Sequence, residues 1–150
     1  MSELVYFEDL QPGMSFTGAP VQVTAEDIKA FAAQFDPQPF HLDETAGAAS
    51  FFKGFAASGW HTAALGMRMM VNSGPKLAAG YIGAGGEIAW KKPVYAGDTL
   101  TLRGEFIELK PSRSRPDRGM AVVRCETFNQ HGELVQVMTA QVVVWRRPAS

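Results

Sequence analysis

The stretch SGWHTAALGMRMMVNSG, residues 58–74, decides the fold that we predict for this 150-residue chain. Ser58 is a favourable residue to cap the start of a helix, and Asn72–Ser73–Gly74–Pro75 is a strong stop sequence. The apolar side chains between them are not confined to one stripe, which is typical of a buried helix. A buried helix needs other elements around it, so the rest of the chain must supply its cover.

Four segments after Gly80 are rich in valine, isoleucine, threonine and aromatic residues with partial alternation, a pattern that predicts strands. They are YIGAGGEIAWKKPVY (81–95), DTLTLRGEFIELK (98–110), GMAVVRCETFNQ (119–130) and ELVQVMTAQVVVWRR (133–147). Turn sequences separate them, so we predict an α+β fold with an antiparallel sheet in a single domain spanning residues 1–150. We expect the GAGG of Gly83–Gly86 to mark a strand passing close to the buried helix.

The first half of the chain contributes further helices. TAEDIKAFAAQF, residues 24–35, combines an N-capping threonine with apolar residues at helical spacing. Pro37 disfavours helical angles at the residue before it, so the helix is predicted to end there. Pro39 is expected to keep the following residues irregular or extended, and a short helix is expected around Asp43–Ala49.

The composition excludes several functional classes. The net charge is −1 and hydrophobic residues make up 46% of the chain, so the sequence is typical of a globular protein without general attraction to nucleic acid or anionic lipid. No apolar stretch reaches the length of a membrane span, and the N-terminal residues lack the pattern of a secretory signal. A single cysteine, Cys125, precludes an intrachain disulfide. We therefore expect a cytoplasmic protein.

The stretch FDPQPFHLDE, residues 35–44, places an acid and a histidine close together beside two prolines. Asp36 and His41 can be a proton-transfer pair, because histidine exchanges protons near neutral pH and a carboxylate can orient it or accept its proton. Alternatively, Asp36 closes a turn and His41 is a half-buried histidine with satisfied hydrogen bonds. Such spacings are common, so the residues alone favour the structural role.

Ser58 and Gly59, at the start of the central helix, form a second candidate site. The first N–H groups of a helix lack intrahelical partners, and a glycine lets a carbonyl group approach the backbone closely. This geometry can build an oxyanion hole. An ordinary serine cap followed by a glycine needed for packing is an equally good explanation.

Other polar residues have weaker claims to a site. His61 can face the same site, although a core or interface role is more common, and His131 falls in a predicted turn. The three histidines and one cysteine show no metal-ligand spacing, so no metal site is predicted. Basic residues that can meet phosphate groups, but more often form a solvated surface, are Lys91, Lys92, Arg113, Arg115 and Arg118.

These motifs occur in a recognisable order. Asp–Pro–Gln–Pro–Phe–His–Leu–Asp is followed by Phe55–Ala–Ala–Ser–Gly59 at the start of a long apolar helix, and then by Trp–Lys–Lys–Pro–Val and Ala–Gly–Asp–Thr–Leu. The chain resembles, over nearly its whole length, the MaoC-like dehydratases, a hot-dog-fold family that includes (R)-specific enoyl-CoA hydratases. The resemblance implies a curved antiparallel sheet wrapped around one long helix, and subunits that pair as a homodimer or a dimer of dimers.

The resemblance also implies an activity. By analogy, Asp36 and His41 activate a water that adds to a trans-2-enoyl-CoA, and the Gly59 N–H binds the thioester carbonyl. Acyl-CoA is then the substrate and no further cofactor is implied. Ser58, Trp60, His61, Lys91 and Lys92 are candidate substrate contacts.

Several positions depart from the family pattern. Gln38 stands where asparagine is frequent, Ser58 where histidine is frequent, and Trp60 is bulky enough to shorten the pocket. Two alternatives to hydration therefore stay open, namely an acyl-CoA thioesterase with the same fold and a non-catalytic acyl-CoA-binding subunit.

Overall fold

A five-stranded antiparallel sheet is the main element of the structure, a computed structural model that describes residues 3–149. Its strands are β1 (Ser15–Gln22), β2 (Ile82–Trp90), β3 (Thr99–Pro111), β4 (Arg118–Phe128) and β5 (Leu134–Trp145), in the order β1-β3-β4-β5-β2. The four predicted strands and the α+β class are confirmed, and β1 is added at one edge. The predicted domain, residues 1–150, extends beyond the described residues at both ends.

The helices begin and end largely where local sequence predicts. They are a 3-10 helix (Phe7–Asp9), α1 (Ala25–Phe35), α2 (Pro39–Leu42), α3 (Glu44–Ala48) and α4 (Gly59–Ser73). The Thr24 hydroxyl accepts a hydrogen bond from the Asp27 N–H at 3.1 Å, as expected of an N-cap. The expectation of irregular chain after Pro39 is wrong, because proline is well suited to the first position of a helix, where its missing N–H has no partner to lose.

Helix α4 packs against the sheet on one side only. Its Leu65, Met69 and Met70 belong to the main core cluster together with residues of β3, β4 and β5. On the opposite side Trp60, Met67 and Val71 remain 59%, 38% and 50% exposed. Burial on all sides is therefore not found within one chain, since the five strands cover one face of the helix. No helix within residues 3–149 has both the length and the apolar character needed to cross a membrane.

Strand β2 lies at the other edge of the sheet, and most of its residues are exposed. The expected close approach of the GAGG segment to α4 is wrong. A Cβ at Gly86 would instead lie 2.3 Å from the Thr139 carbonyl oxygen of the neighbouring β5. Glycine is needed there because a side chain would collide with the β5 backbone, just after the ladder between β2 and β5 shifts register between Gly83 and Gly85.

Candidate active site

Asp36 and His41 lie side by side where the chain turns between α1 and α2. Asp36 follows the last residue of α1 and has non-helical angles (φ −154°, ψ 65°), as expected for a residue before proline. His41 belongs to the short helix that begins at Pro39. As a result the His41 Nε2 lies 3.5 Å from the Asp36 Oδ2. The two prolines therefore serve to bring an acid and a histidine together.

The ring of His41 is held in one orientation. Its Nδ1 lies 2.7 Å from the carbonyl oxygen of Ala56. A carbonyl oxygen only accepts hydrogen bonds, so Nδ1 carries a hydrogen and Nε2 faces the carboxylate. The side chain is buried, with 3% of the residue exposed, and the rings of Phe40 and Phe52 pack around it.

Asp36 is held in its ionised form. Partial burial raises the pKa of Asp36, but hydrogen bonds from Gln38 and Ser58 and the charge of His41 outweigh this effect, so the pKa lies below its usual value. The Gln38 Nε2 donates to the Asp36 Oδ1. Gln38, a departure from the family pattern, therefore reaches back to the acid and supports its charge.

Ser58 and Gly59 join this pair to the start of α4. Ser58 is 1% exposed, and its Oγ accepts a hydrogen bond from the Trp60 N–H at 3.3 Å. Gly59 is the first residue of the helix, and within residues 3–149 its N–H donates to no acceptor. Ala56, which orients His41, lies three residues earlier. The segment 56–59 therefore links the two parts of the predicted site, because Ala56 binds His41 and Gly59 carries the helix N–H.

Gly59 opens onto a cavity of about 400 Å³. The lining residues are Phe51, Phe52, Ala57, Gly59, Thr62, Trp90, Lys91, Lys92, Pro93 and Val94. Asp36 and His41 do not line it in the single chain, but the Phe52 ring does, and its centroid is 5.7 Å from that of His41. Lys92 forms an ion pair with Glu133, whereas Lys91 has no ion-pair partner in the part of the chain that the structure describes.

His61 and Trp60 lie apart from the Asp36–His41 pair. His61 stacks on Phe31 with ring centroids 4.8 Å apart and lines a separate cavity of about 410 Å³ with Asp27 and Arg68. Trp60 packs edge-on against Trp90 at 5.1 Å and does not line the cavity at Gly59. Substrate contacts by these two residues stay predictions. Among residues 3–149 no group of His, Cys, Asp and Glu side chains is arranged to hold a metal ion.

Trp90 and Gln136 are neighbours of the site that sequence reasoning missed. A Cβ at Gly59 would lie 2.6 Å from the Trp90 ring, so the indole rests directly on the first residue of α4. The Trp90 Nε1–H donates to the Gln136 Oε1 at 2.9 Å. The sequence did offer one indication: Gln136 lies inside the apolar run Leu134–Met138, and a buried polar side chain in such a strand needs a specific hydrogen-bond partner.

Comparison with known proteins identifies the family. A family model described as "MaoC like domain" matches residues 9–124. The uncharacterized protein YdeM of Bacillus subtilis is 33% identical over 121 residues, which cover 79% of this chain and 83% of that protein. An (R)-specific enoyl-CoA hydratase of Rhodospirillum rubrum is 32% identical over 116 residues, covering 73% of this chain and 75% of the relative.

The fold comparison agrees. The crystal structure of a MaoC-like dehydratase from Rhodospirillum rubrum superposes with a TM-score of 0.92 at 52% identity, over 97% of this chain and 99% of that one. The chain therefore belongs to the MaoC-like dehydratase family, whose hot-dog fold explains the central helix, the antiparallel sheet and the order of motifs.

Proposed function

We propose that this protein is a hydro-lyase that reversibly adds water to a trans-2-enoyl-CoA and forms a 3-hydroxyacyl-CoA. The observation that carries the proposal is the Asp36–His41 pair, whose histidine is oriented by Ala56. Three residues later comes the Gly59 N–H, which has no acceptor among residues 3–149. Two curated relatives support it, since they are named as an (R)-specific enoyl-CoA hydratase and a 3-hydroxybutyryl-CoA dehydratase.

The separation of the pair suits a bound water. At 3.5 Å the His41 Nε2 and Asp36 Oδ2 are too far apart for a strong direct hydrogen bond. When Nε2 is neutral both atoms are acceptors, so one water beside them can donate a hydrogen to each. Such a water has its oxygen lone pairs directed away from the protein groups. Its oxygen can then attack the β-carbon of the enoyl group while one of its protons passes to the pair.

Gly59 supplies the second requirement of the reaction. Addition at the β-carbon moves negative charge onto the thioester oxygen until the acyl α-carbon takes up a proton. The Gly59 N–H lies in the first turn of α4, at the positive end of the helix dipole, and no acceptor competes for it within the described chain, so it can stabilise that charge. Return of a proton from the pair to the α-carbon completes the hydration, and the reverse sequence eliminates water.

The cavity at Gly59 provides room for the thioester. Its wall is mainly apolar, and Lys91 lies at its surface without an ion-pair partner among residues 3–149. A lysine in this position is suited to a phosphate group of coenzyme A. Coenzyme A enters as part of the substrate in this proposal, and no other cofactor is required.

We also propose that two chains associate as a homodimer. The exposed side chains Trp60, Met67 and Val71 form an apolar stripe on α4, and the edge strand β2 lies beside it, since its Trp90 packs against Trp60. Apolar stripes and unpaired strand edges are both characteristic of surfaces that a partner covers. Sedimentation at several protein concentrations tests this, and a monomer at all of them would contradict it.

The activity is tested by following loss of the enoyl double bond across trans-2-enoyl-CoA substrates of different chain length. Asp36→Asn keeps the size of the side chain and removes its charge, so we expect a decrease of about 10²–10⁴-fold in rate with an unchanged circular dichroism spectrum. A thiol reagent added in parallel reports release of free CoA. Release without hydration would indicate a thioesterase, and calorimetric binding without turnover would indicate a non-catalytic subunit.

A further inference from the structure

Trp90 lines the cavity that opens at Gly59. The indole atoms nearest to a Cβ built on Gly59 lie at 2.6, 2.9 and 3.0 Å, so the ring covers one side of this residue. A carbonyl oxygen accepting a hydrogen bond from the Gly59 N–H would place the thioester carbon about 4 Å from that nitrogen. Gly59 and Trp90 line the same cavity, so an acyl group that enters it from this carbonyl lies beside the indole. The ring therefore forms a wall beside the first carbons of the acyl group.

The indole is fixed by a buried glutamine. Trp90 and Gln136 are partners in the ladder between β2 and β5, and the indole N–H donates to the Gln136 Oε1 at 2.9 Å. Gln136 is only 1% exposed, and its Nε2 reaches the Thr62 carbonyl oxygen on α4 at 3.4 Å. One side chain thus ties the Trp90 ring to both the sheet and the helix that carries Gly59.

The packing leaves a specific space for this glutamine. A Cβ at Gly66, one turn after Thr62 on α4, would approach the Gln136 Nε2 to 3.0 Å. An alanine there would press on the amide that holds the indole. Because both ends of the Gln136 amide are engaged, the ring has little freedom to rotate away from Gly59.

We infer that Trp90 is a specificity-determining residue that excludes acyl groups with bulk next to the thioester carbonyl, and that Gln136 is its positioning residue. This inference rests on the proposed binding of the thioester at Gly59. It predicts that the protein acts on unbranched enoyl thioesters and discriminates against those that carry a 2-methyl branch. A single methyl group that meets a fixed wall typically changes specificity by about 10–200-fold.

The test compares crotonyl-CoA with its 2-methyl derivative, tiglyl-CoA, which differ by one methyl group at the α-carbon. The native protein should prefer crotonyl-CoA by about tenfold or more in kcat/KM. Trp90→Leu should bring the ratio of the two substrates close to one by accepting the branched substrate. Gln136→Leu should shift the ratio in the same direction by a smaller factor, because the indole stays but is no longer held.

A second readout separates positioning from general damage. The chain has three tryptophans, so three indole N–H signals are expected in a nitrogen-edited NMR spectrum, and Trp90→Phe identifies one of them. Gln136→Leu should move that signal and accelerate its exchange with solvent. Thr127→Val is the matched control, because its hydroxyl is buried close to Gln136 and has no hydrogen-bond partner in the described structure. It should alter neither the signal nor the substrate ratio.

Binding measurements keep the inference independent of turnover. Calorimetry with butyryl-CoA and 2-methylbutyryl-CoA, which cannot be hydrated, should show the same preference and its loss in Trp90→Leu. If hydration is absent but this preference is present, the proposed activity fails and the role of Trp90 stands. An equal affinity for both ligands in the native protein, or a preference that Trp90→Leu leaves within twofold, overturns the inference. Should Trp90→Leu not fold, Trp90→Phe, which has a smaller ring, is judged by the same ratio.

Discussion

His41 and His61 are both buried, yet their surroundings differ in every polar contact. His41 has a hydrogen-bond partner at Nδ1, the Ala56 carbonyl, and a carboxylate 3.5 Å from Nε2. The Nδ1 of His61 is buried and has no hydrogen-bond partner among residues 3–149, and its ring lies flat on Phe31. The first histidine is built into a polar network, whereas the second is packed as a flat apolar ring.

The difference originates in the local backbone. His41 follows an irregular segment with two prolines, which turns the chain so that Asp36 and Ala56 can approach its ring from two sides. His61 lies in the first turn of the regular helix α4, whose side chains project outward onto whatever element packs there. Burial alone thus says little about the role of a histidine, and its oriented partners say more.

The largest expected contrast is in catalysis. His41→Gln should lower the rate of enoyl-CoA hydration by about 10²–10⁴-fold, because the amide can donate a hydrogen bond to the Ala56 carbonyl but cannot accept and release a proton near neutral pH. His61→Gln is the matched variant and should largely retain the rate, because His61 lines a separate cavity away from the pair. Both are measured on purified protein with the same substrate, together with their melting temperatures.

A strong loss in both variants would mean that His61 also acts in the reaction, and no loss in either would remove the pair from the mechanism. Comparable melting temperatures are needed for the comparison, because buried substitutions can lower the amount of folded protein. Circular dichroism on the same samples provides that control.

Much of the fold follows from local sequence. The caps at Thr24 and Ser58 and the stop after Ser73 are local features, so α1 and α4 were predicted with nearly correct ends. The exposed stripe on α4 could not be read from its composition. Periodicity reveals that apolar residues surround a helix, but it does not say whether the cover comes from the same chain or from another.

The site was predictable only in part. Asp36 and His41 are five residues apart, so their proximity could be expected from the short connection between them. Trp90 and Gln136 reach Gly59 through the pairing of β2 with β5 and the packing of that sheet on α4. Such contacts depend on strand register and chain topology, which the sequence of a single chain does not display.

The next largest effect is expected at the two helix caps, Ser58 and Thr24. Both cap a helix, but only Ser58 also interacts with Asp36 of the proposed catalytic pair. Ser58→Ala and Thr24→Ala should each lower the free energy of unfolding by about 1 kcal/mol through loss of a capping hydrogen bond. Only Ser58→Ala removes a hydrogen bond that lowers the pKa of Asp36, so its pKa should rise toward the usual value. The acid limb of the pH–rate profile should therefore move to higher pH in Ser58→Ala alone.

Denaturant titration and pH–rate profiles distinguish these outcomes. Equal profiles for the two cap variants would show that Ser58 does no more than cap α4. Thr24 is the suitable control because its hydroxyl accepts from the Asp27 N–H and contacts neither Asp36 nor His41 in the described hydrogen bonds.

The smallest expected effect is in the pH dependence of stability, and it should come from His61. Burial lowers the pKa of His61 below its usual 6.5, with Asp27 opposing the shift and Arg68 adding to it. The unfolded chain therefore binds a proton at this position more readily than the folded one, so stability should fall as the pH drops below about 6.5 toward the lower folded value. Above that range His61 is neutral in both states and should contribute no slope.

His61→Gln should remove this part of the slope, and Arg68→Gln, which relieves a repulsion at an exposed position, should reduce it. Free energies of unfolding measured between pH 5 and 8 test the assignment, because the lowered pKa of Asp36 confines its own contribution to more acidic solutions. An unchanged slope in His61→Gln would show that the two histidines differ less than their contacts indicate.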